Sequence, residues 1–120
     1  MPARSMIAKE MAEFLGVLSH PQRVRIVVEL REKELDVNSL QTILGTSHSA
    51  VSQHLALLRA HRIVKERRDG RHVNYSLQDP ELAAWLLQGL RFLEESARVG
   101  DEVLDALVSA RQSWSETDEK

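Results

Sequence analysis

Apolar residues recur at spacings of three and four along much of the 120-residue chain, which is the pattern of amphipathic helices. In residues 6–19 these positions form one stripe, made of Ile7, Met11, Phe14, Leu15 and Leu18. Pro21 is favourable in the first turn of a second helix, which the apolar residues 24–30 extend to about Glu32. Both segments are therefore predicted to be helices of a mostly helical domain.

Two short helices joined by a tight turn are predicted in residues 38–60. Residues 38–44 (NSLQTIL) hold three apolar side chains, and Gly45 follows where a left-handed C-terminal cap is needed. Ser47 is a suitable N-cap for the next helix, which runs over residues 48–60. This succession is the helix-turn-helix pattern.

A β-hairpin is predicted in residues 63–77, directly after this helix-turn-helix; the charged linker REKE, residues 31–34, precedes the helix-turn-helix. Asp69-Gly70 is a strong hairpin signal, because a type I′ turn needs positive φ at both central residues. With these two residues as the loop, Arg68 would face Arg71. We expect the apolar side chains of the two strands to share an inward face, namely Val64, Val73 and Tyr75.

Helical spacing returns in residues 79–114. One helix is expected over residues 80–98 and another after Gly100, followed by a polar tail, residues 115–120. The chain is thus predicted to be one mostly α domain with a small β-hairpin wing: four helices, two strands, a fifth helix and a sixth.

Charge is distributed unevenly along the chain. Residues 1–58 hold six basic and six acidic side chains, residues 59–78 carry a net charge of +4, and residues 79–120 carry −6, for a total of −2. A basic segment inside an acidic chain indicates a local contact with a polyanion.

Several classes of protein do not fit the sequence. It contains no cysteine, which excludes disulfides and thiolate metal sites, and it lacks the glycine-rich, P-loop, HExxH and GxSxG motifs of common enzymes. There is no apolar run of roughly 20 residues and no signal-peptide pattern, so we expect a soluble, cytoplasmic protein that is not an enzyme.

The helix over residues 48–60 has two contrasting faces. Val51, Leu55 and Leu58 form a narrow apolar arc, whereas the opposite arc carries only short or neutral side chains: Ser49, Gln53, Ala56 and Ala60, with Ser52 beside them. Short side chains let a helix enter the major groove of DNA, where serine and glutamine can hydrogen-bond to base edges. The alternative is a capping and solvating face, but the basic hairpin that follows favours DNA.

These residues resemble a known family. GTSHSAVSQHLALLRAHRIVKERRDGRHVNYSL is similar to the recognition helix and wing of the ArsR/SmtB family of bacterial winged-helix repressors, and LSHPQRVRIVVEL and ELDVNSLQTIL resemble its second and third helices. The resemblance covers about residues 14–77. It implies a homodimer whose recognition helices read an inverted repeat, with the first and the C-terminal helices at the dimer interface.

The resemblance and the residue pattern together predict three groups of site residues. Contacts of the recognition helix with DNA are expected at His48, Ser49, Ser52, Gln53 and His54. Contacts of the wing are expected at Lys65, Arg67, Arg68, Arg71 and His72. The dimer interface is expected in residues 6–19 and 79–114, at Phe14, Leu18, Leu82, Trp85, Leu86 and Leu93. For His54, a hydrogen-bonded structural role is the alternative.

The chain departs from the family at its metal sites. Where metal-sensing members carry Cys-x-Cys at the third helix, this chain has Asp36 and Asn38, and its C-terminal segment, residues 79–120, contains no histidine. We therefore predict no metal site and no cofactor, although the acidic pairs Glu94-Glu95 and Asp101-Glu102 leave a hard-cation site open. His61 occupies a position that is usually glycine in the family, so a strained helix end is expected there.

The function that these features favour is sequence-specific DNA binding, by a repressor acting as a dimer on a pseudo-palindromic operator. Two alternatives remain at this point. One is a sensor with an unidentified effector, either a metal held by oxygen and nitrogen ligands or an organic molecule at the dimer interface. The other is a winged helix used as a protein interaction module.

Overall fold

The part of the chain that the structure describes contains seven helices and three short strands, the first of which lies between the second and third helices. The computed structural model describes residues 1–96 and 100–115. The elements are α1 (Pro2–Leu18), α2 (Pro21–Glu29), β1 (Leu35–Asp36), α3 (Val37–Leu44), α4 (His48–Ala60), β2 (Val64–Asp69), β3 (His72–Leu77), α5 (Glu81–Gln88), α6 (Leu90–Glu94) and α7 (Asp101–Ser115). Within these described ranges, no helix is long and apolar enough to cross a bilayer. The predicted class, mostly α with a small β wing, is confirmed.

Local hydrogen bonds determine where the helix-turn-helix begins and ends. The Asp36 carboxylate accepts from the Ser39 amide at 2.7 Å and caps α3. Gly45 ends α3 in the left-handed conformation, with φ of 67°. The Ser47 hydroxyl accepts from the Ala50 amide at 3.1 Å and caps α4. The predicted roles of Gly45 and Ser47 are confirmed.

The core is centred on α4. Val51, Leu55 and Leu58 are all 0% exposed, so the predicted apolar arc is fully buried. Around it lie buried side chains of the other helices and of the strands, which include Leu18, Ile26, Val27, Leu30, Leu40, Leu44, Ile63, Val64, Leu77 and Ala83. Each of the leucine, isoleucine and valine side chains stabilises the fold by roughly 1.5–3 kcal/mol through burial, and α4 is fixed against α2, α3 and β2.

The sheet contains a strand that was not predicted. β1 pairs antiparallel with β3, which in turn pairs with β2, so the order is β1-β3-β2. β1 is only two residues long and directly follows the predicted charged linker. Too short to show any alternation of polar and apolar residues, it forms because its partner strand is already in place.

The predicted register of the hairpin was wrong by two residues. Asp69 pairs with His72, so the loop is Gly70-Arg71 and Arg68 faces Val73 rather than Arg71. Gly70 has a φ of 61°, while Arg71 is not among the residues with positive φ. A type II′ turn needs glycine only at its first central position, and the pairing follows that requirement. A shift of two residues keeps the alternation, so Val64, Val73 and Tyr75 still share one face.

Three helix boundaries differ from the prediction. α1 begins at Pro2 rather than at residue 6, and α2 ends at Glu29. The predicted helix 80–98 is interrupted at Gly89, whose amide is shared between the carbonyls of Trp85 and Leu86. Glycine is a poor helix former, and this tightened turn ends α5 and redirects the chain into α6. Residues 97–99, which include the predicted end, and the polar tail from residue 116 lie outside the described residues.

The strained position after α4 lies one residue later than expected. His61 has a φ of −94°, whereas Arg62 has a φ of 59°. Arg62 is the only non-glycine residue with positive φ in the described part of the chain. It turns the chain from the end of α4 into β2, at a cost of about 1–2 kcal/mol for a side chain in this region.

Candidate nucleic-acid interface

The outer face of α4 is exposed and carries no aspartate, glutamate, lysine or arginine. His48, Ser49, Gln53, Ala56 and Ala60 are exposed, and Ser52 is half-buried. Because Val51, Leu55 and Leu58 fill the other side, α4 cannot rotate without unpacking the core. The hydroxyl and amide groups of this face therefore project from a rigid helix, as direct hydrogen bonding to base edges requires.

His54, predicted as a contact to DNA, lies on a different side of α4. Its Nδ1 is 3.3 Å from Arg23 Nη1 of α2, and its ring centroid is 4.4 Å from that of His20. Burial, followed by the neighbouring His20 and Arg23, lowers the pKa of His54 below its ordinary value. The side chain is directed toward α2, so we leave it out of the face offered to DNA.

Sequence spacing could not identify this cluster of two histidines and an arginine. Arg23 and His54 are 31 residues apart, and they meet only because α2 packs against α4. The chain has no pair of histidines at the i, i+4 spacing that marks a shared helix face. No signal in the sequence pointed to the contact.

On the wing, Arg67 is paired with a carboxylate. Its Nε donates to both oxygens of Glu34 at 3.0 and 3.2 Å, and Nη2 also donates to Glu34 Oε1. Asp69 lies 3.9 Å from the same guanidinium. The hydrogen bond from Arg67 lowers the pKa of Glu34, which stays ionised over a wider pH range. A phosphate has to compete with Glu34 for Arg67.

A second ion pair joins the wing to the recognition helix. Arg59 Nη2, in the last turn of α4, is 3.2 Å from Glu66 Oε1 of β2. Glu66 lies opposite Tyr75 in the sheet, and burial, followed by the charge of Glu66, raises the pKa of the Tyr75 hydroxyl. This contact helps to set the direction in which the hairpin leaves the body of the domain.

The remaining predicted wing residues surround the tip. Lys65, Arg68, Arg71 and His72 are exposed, and no carboxylate of the described residues forms a salt bridge with Arg68 or Arg71. Arg71 occupies the loop itself. Together with the outer face of α4, they form a neutral helix beside a basic arm, an arrangement suited to base contacts from one and phosphate contacts from the other.

Asp36, which stands where metal-sensing members of the resembled family carry cysteine, already has a hydrogen-bond partner, as does Glu94 of the predicted acidic pairs. The Asp36 carboxylate caps α3, and its hydrogen bond from Ser39 lowers its pKa. Glu94 of the predicted acidic pairs is in a salt bridge with Arg111. In the described ranges there is no group of three or more histidine, cysteine, aspartate or glutamate side chains that could hold a metal.

The predicted dimer-interface residues do not all reach the surface. Leu18 is 4% exposed and belongs to the core of its own subunit. Three more are half-buried against the core: Phe14, Leu82 and Leu86. Trp85 and Leu93 are 50% and 48% exposed. On α1, Ile7, Met11 and Leu15 of the predicted apolar stripe are exposed together with Met6; they lie within the predicted interface range 6–19 but are not among its six named residues.

Known proteins are similar to this chain in sequence. Residues 20–66 match the family model described as bacterial regulatory protein, arsR family. The chain is 42% identical over 89 residues to the transcriptional repressor SmtB homolog of a Synechocystis species, covering 74% of this chain and 67% of that one. It is 39% identical over 75 residues to the nodulation protein NolR of Rhizobium meliloti, covering 62% of each.

A solved structure supports the same grouping. NolR from Sinorhizobium fredii superposes with a TM-score of 0.69 at 33% identity, over 81% of this chain and 96% of that one. The chain spans about two thirds of the length of the two relatives compared by sequence, and nearly all of this solved one.

The Glu34–Arg67 pair gives the first testable prediction. Glu34→Gln removes the competing carboxylate, so we expect affinity for any duplex DNA at low salt to rise by about two- to fivefold, the range of a surface ion pair. Arg67→Ala should lower affinity and reduce the slope of log affinity against log salt by about one. Fluorescence anisotropy with labelled duplexes measures both.

Glu32→Gln is the matched control, because it makes the same change in charge in the same linker. An equal gain for Glu32→Gln would assign the effect to net charge alone. No gain for Glu34→Gln would mean that Arg67 lies outside the DNA contact.

Proposed function

The chain belongs to the ArsR/SmtB family of bacterial DNA-binding transcriptional regulators, and we propose that it is a repressor which occupies a pseudo-palindromic operator as a homodimer. The prediction of a DNA-binding regulator rather than an enzyme is confirmed by this membership. Its site of action would be the cytoplasm, where promoter DNA is accessible.

The observation that carries the proposal is the contrast between α4 and the wing. One face of α4 carries short neutral side chains, and the basic hairpin next to it is oriented by the Arg59–Glu66 ion pair. We assign base contacts to Ser49, Ser52 and Gln53, with His48 at the start of the helix. Lys65, Arg68, Arg71 and His72 would contact phosphates, joined by Arg67 when it leaves Glu34.

Two substitutions separate these roles. Gln53→Ala should reduce the preference for operator over unrelated DNA by about tenfold, within the range for one good base contact. Arg71→Ala should weaken binding to both DNAs to a similar extent and lower the salt slope by about one. Anisotropy titrations at several salt concentrations, with DNA upstream of the chain's own gene as the first candidate operator, measure both.

Gln78→Ala is the control, since Gln78 is exposed at the base of the wing, away from its tip. The assignment of base reading to α4 fails if Gln53→Ala weakens binding to operator and unrelated DNA equally.

A dimer is supported by the apolar surface that the subunit leaves exposed. Ile7, Met11 and Leu15 recur every four residues along α1, and Trp85 and Leu93 add aromatic and aliphatic surface from α5 and α6. Exposed apolar side chains that form a contiguous patch commonly mark a protein–protein contact. A two-fold axis would place two recognition helices in successive major grooves, about 34 Å apart.

Met11→Glu is expected to shift the protein from dimer to monomer, because it puts a charge at the centre of the exposed stripe. Operator affinity should fall by at least about a hundredfold as the second half-site is lost, while weak binding to unrelated DNA persists. Light scattering coupled to size exclusion measures the mass, with Lys9→Glu on another side of α1 as the control. A monomeric wild type at micromolar concentration would contradict the proposal.

A second candidate, repression controlled by an organic effector, is favoured by one cavity. A cleft of about 880 Å³ lies between α2, α5, α6 and α7, within the size range of small-molecule sites. Its lining is mainly apolar and aromatic, with Trp85, Phe92 and Trp114, and includes the guanidinium of Arg91, 4.9 Å from the Phe92 ring centre. This chemistry suits an aromatic carboxylate.

The two tryptophans of the chain both line this cleft and serve as probes. A bound naphthoate should quench their fluorescence with saturation, and Arg91→Met should raise the Kd by about tenfold through loss of the ion pair. Methylnaphthalene, which is neutral, is the control for changes in tryptophan emission that do not depend on the carboxylate. Quenching that does not saturate would remove the cleft as a ligand site.

A further inference from the structure

Arg23 connects three helices through one guanidinium. Its Nε donates to the Val17 carbonyl in the last turn of α1 at 2.6 Å, and its Nη1 is 3.3 Å from Nδ1 of His54 on α4. The ring of His20, at the corner between α1 and α2, lies against His54 with a tilt of 48°. His20 Nδ1 in turn accepts from the Gln22 amide at 3.1 Å. We call Arg23, His20 and His54 the Arg23 bridge.

The Arg23–His54 contact is compatible with only one protonation state of His54. A guanidinium has donors and no acceptor, so the hydrogen bond needs a lone pair on Nδ1. His54 must therefore be neutral, with its proton on Nε2. A second proton would sit on Nδ1 and point at Arg23, which replaces a hydrogen bond by repulsion between two cations.

The position of His54 makes this contact relevant to DNA. His54 is half-buried and lies directly between exposed Gln53, assigned above to a base contact, and Leu55, which is 0% exposed. A base contact tolerates displacements of only a fraction of an ångström. Loss of the bridge would free the side of α4 next to the face that reads bases.

We propose that the Arg23 bridge positions the recognition helix and that protonation of His54 releases it, so that operator affinity falls in mild acid. The inference rests on the proposed DNA-binding function. Because Arg23 also holds the end of α1, whose stripe we assign to the dimer interface, the bridge also connects that helix to α4 through hydrogen bonds.

The surroundings of His54 support a loss of the bridge at lower pH. Burial lowers the pKa of His54, and the charged or titratable groups that add to the shift are His20 before α2 and Arg23 on α2. The unfolded chain takes up a proton near the ordinary histidine pKa of about 6.5, before the folded chain does. The contribution of neutral His54 to the stability of the fold is therefore fully present above this pH, and it is lost as the pH falls below it.

The exposed histidines near DNA have the opposite effect. His48 and His72 are exposed, and any gain of positive charge beside phosphates strengthens binding to DNA. A loss of operator affinity on acidification is therefore not explained by these residues, and the direction of the change separates the bridge from simple charge attraction.

The test compares wild type with His54→Asn and with His48→Asn, in which an exposed histidine is removed by the same substitution. The amide oxygen of asparagine can accept from Arg23 but does not titrate. Operator affinity is measured by anisotropy from about pH 8 to about pH 5.5 at constant ionic strength, and each protein is compared with itself. Wild type should lose about three- to tenfold, and His48→Asn at least as much, whereas His54→Asn should keep or gain affinity.

Thermal unfolding over the same pH range examines the bridge without DNA. Wild type should lose more of its Tm on acidification than His54→Asn does. Equal losses in the two proteins, or equal pH profiles of operator affinity, would overturn the bridge. A wild type that fails to bind operator even near pH 8, while this difference in Tm is present, would instead overturn the proposed function and the role given to the bridge in it.

Discussion

Burial of one side of α4 is the constraint on which the rest of the molecule depends. Val51, Leu55 and Leu58 are fully buried, and α4 packs against α2, α3 and β2, so this packing determines both the position and the rotation of the helix. The opposite side of α4 can then carry only short, neutral side chains, because it takes no part in the packing of the core. A helix held less firmly would present the same serines and glutamine without a fixed geometry. Short side chains cannot correct for a displacement of the helix.

The parts of the fold that were predictable are those specified by neighbouring residues. Gly45 and Ser47 end and begin helices through their own backbone and side-chain chemistry, and the apolar arc of α4 follows from a period of 3.6 residues. The resemblance of residues 14–77 to one family added what periodicity lacks, namely the expectation of a homodimer with the first and the C-terminal helices at its interface. The helix-turn-helix and the presence of a wing were predicted correctly.

The parts that were missed depend on residues distant in the chain. β1 exists only as a partner of β3, and the pairs Arg67–Glu34 and Arg23–His54 form after the helices and strands have packed. Within the wing, two turn types competed for the same Asp-Gly-Arg sequence, and the turn with one left-handed residue prevailed over the turn with two. Leu18 illustrates the same limit, since periodicity identifies an apolar face and does not say whether its own subunit or a partner covers it.

The place of β2 in the sheet has a consequence for solubility. β2 lies at an edge, with β3 on one side, and five of its six residues are charged. An open edge offers unpaired backbone groups to strands of other molecules, and charged side chains along it discourage such pairing. The lysine and arginines of this strand thus protect the protein from aggregating through its wing, whether or not DNA is present. Selection for phosphate contacts and selection against self-association would favour the same side chains here.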